Sequence, residues 1–239
     1  MINLPNSVFR HIPKTGGMWV RYVLQDVAIK PFDYNETDHR VTVEAAHAHK
    51  PVFTFVRNPW AWYVSMYNYS KNGSYDDALD QNAGTFYRVF DHEPTFAEFL
   101  HVMIEPSVEI KRSIQSIERL ELMQKRVRGR ALGKAQVKSD PLEIASLWVK
   151  SDKSLYQCTL DAYTTDAAMV GSMENISADL VNMLTQTMDI TDTALERIQS
   201  TPARNVGQQV DYRSYYTTEL QNLVHQDSRA LIEKFGYQF

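Results

Sequence analysis

The sequence predicts an α/β fold in which a central parallel sheet is flanked by helices in three layers. Three observations predict it: a strand, glycine loop and helix over residues 7–27, an almost wholly apolar run at 52–56 that feeds a helix, and a return to strand character at 168–173 followed by a further helix. Strands that alternate with helices are the pattern of parallel βαβ units. The chain of 239 residues, 44% hydrophobic and 23% charged, has enough material for one large core, so a single domain over 1–239 is expected.

The elements follow in order. Residues 7–12 form a short strand-like run that Pro13 and the Gly16-Gly17 pair break, and 18–27 then carry apolar residues at helical spacing. Residues 42–46 and 52–56 are both β-prone, the second apolar enough for a buried parallel strand. Asn58 can cap, and Pro59 can open, a helix through Trp60, Val64 and Tyr67. The polar stretch 73–84 reads as a loop, and the capping box Thr95-Phe96-Ala97-Glu98 starts a helix through Met103. A helical, partly basic excursion spans about 105–145, with Ile110, Ile114, Ile117, Leu120 and Met123 at helical spacing before the cations from Lys125 to Lys138. Strand 168–173 precedes a helix capped by Asn175 or Ser177, and 217–235 is a last amphipathic helix closed by Gly236.

Charge and cysteine usage narrow the classes. A formal net charge of −4 gives no overall attraction for nucleic acid or an anionic membrane. The single Cys158 cannot form an internal disulfide, and no apolar run approaches the roughly 20 residues that span a bilayer. A cytoplasmic protein of a reducing compartment is expected.

The chemistry concentrates in two places. In His11-Ile12-Pro13-Lys14-Thr15-Gly16-Gly17 a glycine loop between strand and helix exposes successive backbone N–H groups to an anion, and Lys14 adds a positive charge. Lys14 precedes the glycines, which fails the GxxxxGK pattern of nucleoside-triphosphate loops. In the second, Arg57 ends a strand and Ser65 lies two turns into the next helix, where a guanidinium and a hydroxyl can grip a second phosphate. Each feature alone has an ordinary structural explanation. Paired at the carboxyl ends of neighbouring strands, they imply a nucleotide with phosphates at both ends.

Pro13-Lys14-Thr15-Gly16-Gly17 resembles the 5′-phosphosulfate loop of the sulfotransferases that use the donor PAPS, and Phe55-Val56-Arg57-Asn58-Pro59-Trp60 with Ser65 and Tyr67 resembles their 3′-phosphate signature. Val170 to Ile176, with its Glu174-Asn175 pair, is similar to the family's late strand, and Asn205 with Tyr212 and Tyr215 to its carboxyl-terminal segment. The resemblance is nearest to the carbohydrate and heparan 2-O-sulfotransferase-like branch. It implies a P-loop-NTPase-like fold, PAPS as donor and PAP as product. The implied donor site comprises Pro13, Lys14, Thr15, Gly16, Gly17, Met18, Trp19, Arg57, Ser65 and Asn205, with no metal. Met18 departs from the pattern, which has Thr or Ser there; the amide remains and the hydroxyl is lost.

Sulfuryl transfer needs a base for the acceptor's proton, by analogy with phosphoryl transfer. His47 is preferred, then His49, in a His-x-His arrangement similar to that of the 2-O branch; Glu44 is the alternative. Lys14 serves the bridging oxygen. The acceptor is expected to be a small molecule, lipid or glycan hydroxyl or amine. A P-loop-like kinase or hydrolase, or a non-catalytic nucleotide-binding relative, is the competing reading.

Overall fold

The computed structural model describes residues 1–28, 42–75, 89–90, 92–116, 140–202 and 211–239. Two compact units emerge, one from Met1–Asn58 with Leu160–Asp211 and the other from Pro59–Thr159 with Tyr212–Phe239.

The first unit holds the sheet. Its strands are β1 (Ile2–Asn3), β2 (Val8–Phe9), β3 (Val52–Val56) and β4 (Met169–Ser172), in the spatial order β1-β2-β3-β4. β1 pairs antiparallel with β2, whereas β2, β3 and β4 run parallel. β3 is buried at every residue because it lies between two neighbours and under packed faces. Phe9, Phe53 and Phe55 project to one face, where they pack with Trp19, Val20, Val23, Leu24, Leu180, Met183, Leu184 and Ile198. Those partners come from α1 (Gly17–Tyr22), the π-helical turn Val23–Ala28 that continues it, α7 (Ile176–Thr187) and α8 (Asp192–Ser200). The fold is therefore α/β, with a mostly parallel sheet flanked by helices.

The second unit is helical: α2 (Pro59–Tyr75), α3 (Phe96–Ile104), α4 (residues 108–116), α5 (Asp140–Val149), most of α6 (Leu155–Thr164), α9 (Thr218–Asp227) and α10 (Arg229–Phe235). Its core is aromatic. Trp62 stacks on Tyr156 with ring centroids 4.4 Å apart, and Tyr67 meets Phe96 and Phe99 edge to face. Thr95 and Glu98 form the complete capping box that the sequence predicts. No helix among the described residues is long and apolar enough to cross a membrane.

Three expectations change. Residues 42–46 are not a strand; Ala45–His47 form a 3-10 turn instead. β2 already has β1 on one side and β3 on the other, so no edge beside it is left for a further strand. Val43 packs instead on the small cluster of Met1, Val8 and Val52. Residues 73–75, expected in a loop, keep the helical backbone of α2; one glycine costs a helix only about 1 kcal/mol. The last helix is two, broken at Ser228, whose backbone leaves the helical region at φ −105°, ψ 20° and whose hydroxyl turns to the Asp227 carboxylate, 3.0 Å away. The rest of that expected loop, 76–84, and the basic run 125–138 lie outside the described residues.

Candidate anion-binding site

β2 leaves the sheet through Arg10, whose side chain is only 1% exposed. A buried guanidinium must be paired. Arg10 makes a two-point contact with Asp166, through Nη1 to Oδ1 and Nη2 to Oδ2, and Nη1 also donates to the Tyr163 carbonyl at 3.1 Å. Those bonds from Arg10 hold the Asp166 carboxyl below the usual carboxylate range. The Thr54 hydroxyl donates to the Arg10 carbonyl at 2.8 Å, so the strand end is tied to β3 as well.

The glycine loop is built on this anchor. The buried His11 ring stacks on Phe9 and lies directly over the Cα of Gly17: a Cβ there would fall 1.8 Å from His11 Cδ2. Only glycine fits at position 17. Lys14 and Gly16, on either side of Thr15, both adopt left-handed backbone at φ +66° and +81°. That conformation is uncommon for a lysine. The buried Thr15 hydroxyl closes the turn by donating to the Ile12 carbonyl at 2.9 Å. Gly16 is the N-cap of α1, and its carbonyl accepts from Trp19 N–H at 2.9 Å. Gly17 and Met18 occupy the first turn, where amides have no acceptor within the helix. A loop of left-handed residues followed by such amides is a concave, electropositive backbone surface suited to phosphate or sulfate oxygens.

Arg57 completes the arrangement. It follows β3, and its Nη1 donates to the Lys14 carbonyl across 3.2 Å. Asn58 N–H donates to Glu174 Oε1 at 2.9 Å, and Glu174 Oε2 accepts from the Ser172 hydroxyl at 2.5 Å. Ser172 N–H is bound by Asp179 Oδ2 at 2.7 Å. The carboxyl ends of three parallel strands are thereby linked side by side.

The two sequence motifs thus meet at Lys14 and Arg57. Trp19 is a core residue: its indole donates to the Pro202 carbonyl at 3.1 Å and its amide is engaged by Gly16. Met18 is half exposed, with Sδ 3.8 Å from Arg21 Nη1. Ser65 lies on α2 in the second unit and is half-buried. Asn205 lies outside the described residues. His47 closes the 3-10 turn, and both it and the exposed His49 precede the first residue of β3, whereas Arg57 follows its last. Five residues at about 3.3 Å each set roughly 16 Å of strand between those ends. The buried Nδ1 of His47 has no hydrogen-bond partner among the described residues. Neither His11 nor Arg10 is among the site residues expected from the sequence. The first turns out to dictate Gly17, and the second to anchor the loop; a charged residue at the end of so apolar a strand was the available signal for Arg10.

The chain is similar to a solved structure. The crystal structure of mouse sulfotransferase SULT7A1 complexed with PAP aligns with 98% of this chain and 89% of its own, at 14% sequence identity and a TM-score of 0.43. No family model matches, and no curated protein matches. At a TM-score below 0.5, the weight of a functional reading falls on this chain's own residues.

Proposed function

We propose that the protein is a sulfotransferase that takes the sulfuryl group from PAPS and releases PAP. The observation that carries this reading is the bond from Arg57 to the Lys14 carbonyl, which brings the two phosphate-type motifs into one site at the carboxyl ends of adjacent parallel strands. The Thr15 to Met18 backbone and the Lys14 ammonium face the 5′-phosphosulfate, and Arg57 the 3′-phosphate; for Ser65 and Asn205 the assignment rests on the sequence pattern.

In the reaction the bond between sulfur and the 5′-phosphate oxygen breaks while a bond from the acceptor's oxygen or nitrogen to sulfur forms. The acceptor's proton passes to a base, and the charge that develops on the leaving phosphate is stabilised by Lys14 and the loop amides. His47, ahead of His49, is the base in this reading. The unpartnered Nδ1 of His47 supports it, and the position of both histidines at the amino end of β3 opposes it. The acceptor belongs to the hydroxyl- or amine-bearing small molecules, lipids or glycans.

Titration calorimetry with PAP, and with ATP and Mg²⁺ in parallel, tests the donor assignment. PAP is expected to bind without metal and ATP weakly. Tight ATP binding with no heat from PAP would overturn the proposal. Separate His47→Ala and His49→Ala variants, assayed for transfer of labelled sulfate after PAP binding has been measured, test the base.

A further inference from the structure

Lys14 sits in a backbone conformation that lysine seldom adopts, so something must hold it there. Thr15 fixes the turn from inside through its bond to the Ile12 carbonyl, and the Ile176 side chain crowds Gly16 from the α7 side, where a Cβ would come within 2.7 Å of Ile176 Cδ1. Neither contact touches the Lys14 peptide. The hydrogen bond from the Arg57 guanidinium to the Lys14 carbonyl does, and Arg57 is itself positioned, because the next amide, of Asn58, is held by Glu174 just after β4. An arginine presents five N–H donors in one rigid plane, so the same group can hold a carbonyl with one and face an anion with others.

We infer that Arg57 is a positioning residue for the Lys14 loop: it organises the 5′-phosphosulfate site through the Lys14 carbonyl, in addition to any contact that it makes with a 3′-phosphate. This rests on the donor assignment proposed above. Its consequence is that the two ends of the donor are not read independently, because a substitution at Arg57 disturbs the binding of a ligand that has no 3′-phosphate.

The probe is adenosine 5′-phosphosulfate, which carries the phosphosulfate and lacks the 3′-phosphate. Calorimetry would compare it with PAP on the parent protein, Arg57→Ala and Arg57→Lys. Loss of one hydrogen bond predicts a roughly threefold to tenfold weaker affinity of Arg57→Ala for adenosine 5′-phosphosulfate, with a larger loss for PAP. Arg57→Lys, which keeps the charge but offers one donor nitrogen in place of the planar fork, is expected to fall between. Unchanged affinity for adenosine 5′-phosphosulfate alongside weakened PAP would overturn the inference and leave Arg57 as a 3′-phosphate ligand alone.

Hydrogen exchange without nucleotide supplies a readout that survives failure of the donor assignment. Arg57→Ala should speed exchange in residues 12–20 while residues 176–187 keep the parent's protection. Equal protection of 12–20 in both proteins would refute the positioning role whatever the ligand. If the parent binds neither nucleotide yet the exchange difference appears, the donor assignment fails and the positioning role stands. Should Arg57→Ala not fold, the Arg57→Lys comparison decides by the same two readouts.

Discussion

Gly17 and His11 share one volume: the imidazole lies where a side chain at position 17 would have to be, 1.8 Å from an added Cβ. The ring is in turn held against Phe9, with 6.0 Å between centroids, so the first helical residue and the end of β2 are fitted to each other. The glycine serves the packing of the strand as well as the exposure of backbone amides.

Gly17→Ala is therefore expected to destabilise the protein by about 1–3 kcal/mol, the usual cost of overpacking. The double variant with His11→Ala should recover part of that loss, since the clash is gone. Thermal melts of both single variants and the double close the cycle; additive losses would mean that the two residues do not compete for space.

Met18 stands half exposed where the resemblance leads one to expect a hydroxyl, and its amide is in the first turn of α1. Met18→Thr should tighten PAP binding by the worth of one neutral hydrogen bond, about 0.5–1.5 kcal/mol. Calorimetry would show this as a lower Kd with little change in melting temperature. An unchanged Kd would mean that the hydroxyl has no phosphate oxygen to meet.

The ion pair between Arg10 and Asp166 gives stability a defined pH dependence. Asp166 has its pKa lowered in the folded state, chiefly by the bonds from Arg10, so its contribution is complete above the unfolded value of about 3.9 and is lost as pH falls through the folded one. Asp166→Asn is expected to melt below the parent at pH 7, with the difference closing on acidification below about pH 4. A gap that persists at low pH would point to lost packing and not to charge.

Asp227 should behave in the opposite sense. Burial pushes its carboxyl upward, against the bonds from Ser154, Ser228 and Tyr63 that pull it down. The same burial, with the Asp227 charge beside it, raises the Tyr63 phenol well above its ordinary value, so its hydroxyl stays protonated and donates to Asp227 Oδ2 at 3.2 Å. The folded state holds the Asp227 proton more tightly than the unfolded chain, and stability declines as pH rises from about 3.9 through the folded value. Asp227→Asn keeps an acceptor oxygen for Tyr63 and removes the charge. It should melt above the parent at pH 7 and lose that advantage at pH 4; a lower melting temperature at both pH values would show that the charged form is required.

Much of the fold was legible because local chemistry and tertiary structure agree. The apolar run 52–56 is β3 at the predicted bounds, Pro59 opens α2, Thr95 and Glu98 form their capping box, and Gly236 ends α10 in left-handed backbone at φ +65°. Residues 42–46 show the limit. Their β propensity is real, but a strand also needs a neighbour, and the edges of β2 were taken. The turn that forms there sets His47 and His49 before the first residue of β3, whereas Arg57 follows its last.

The sequence by itself determined the parts of the anion site, since a lysine before paired glycines and an arginine after an apolar strand are local patterns with local causes. Only the tertiary structure decided how they combine. Parallel pairing of β2 with β3 sets their carboxyl ends side by side, and over that short span Arg57 reaches the Lys14 carbonyl, 43 residues away in sequence. It also decided that His11 is the wall of the loop and that Arg10 is its buried anchor. Such roles depend on which atoms share a volume, and spacing along a chain carries no record of that.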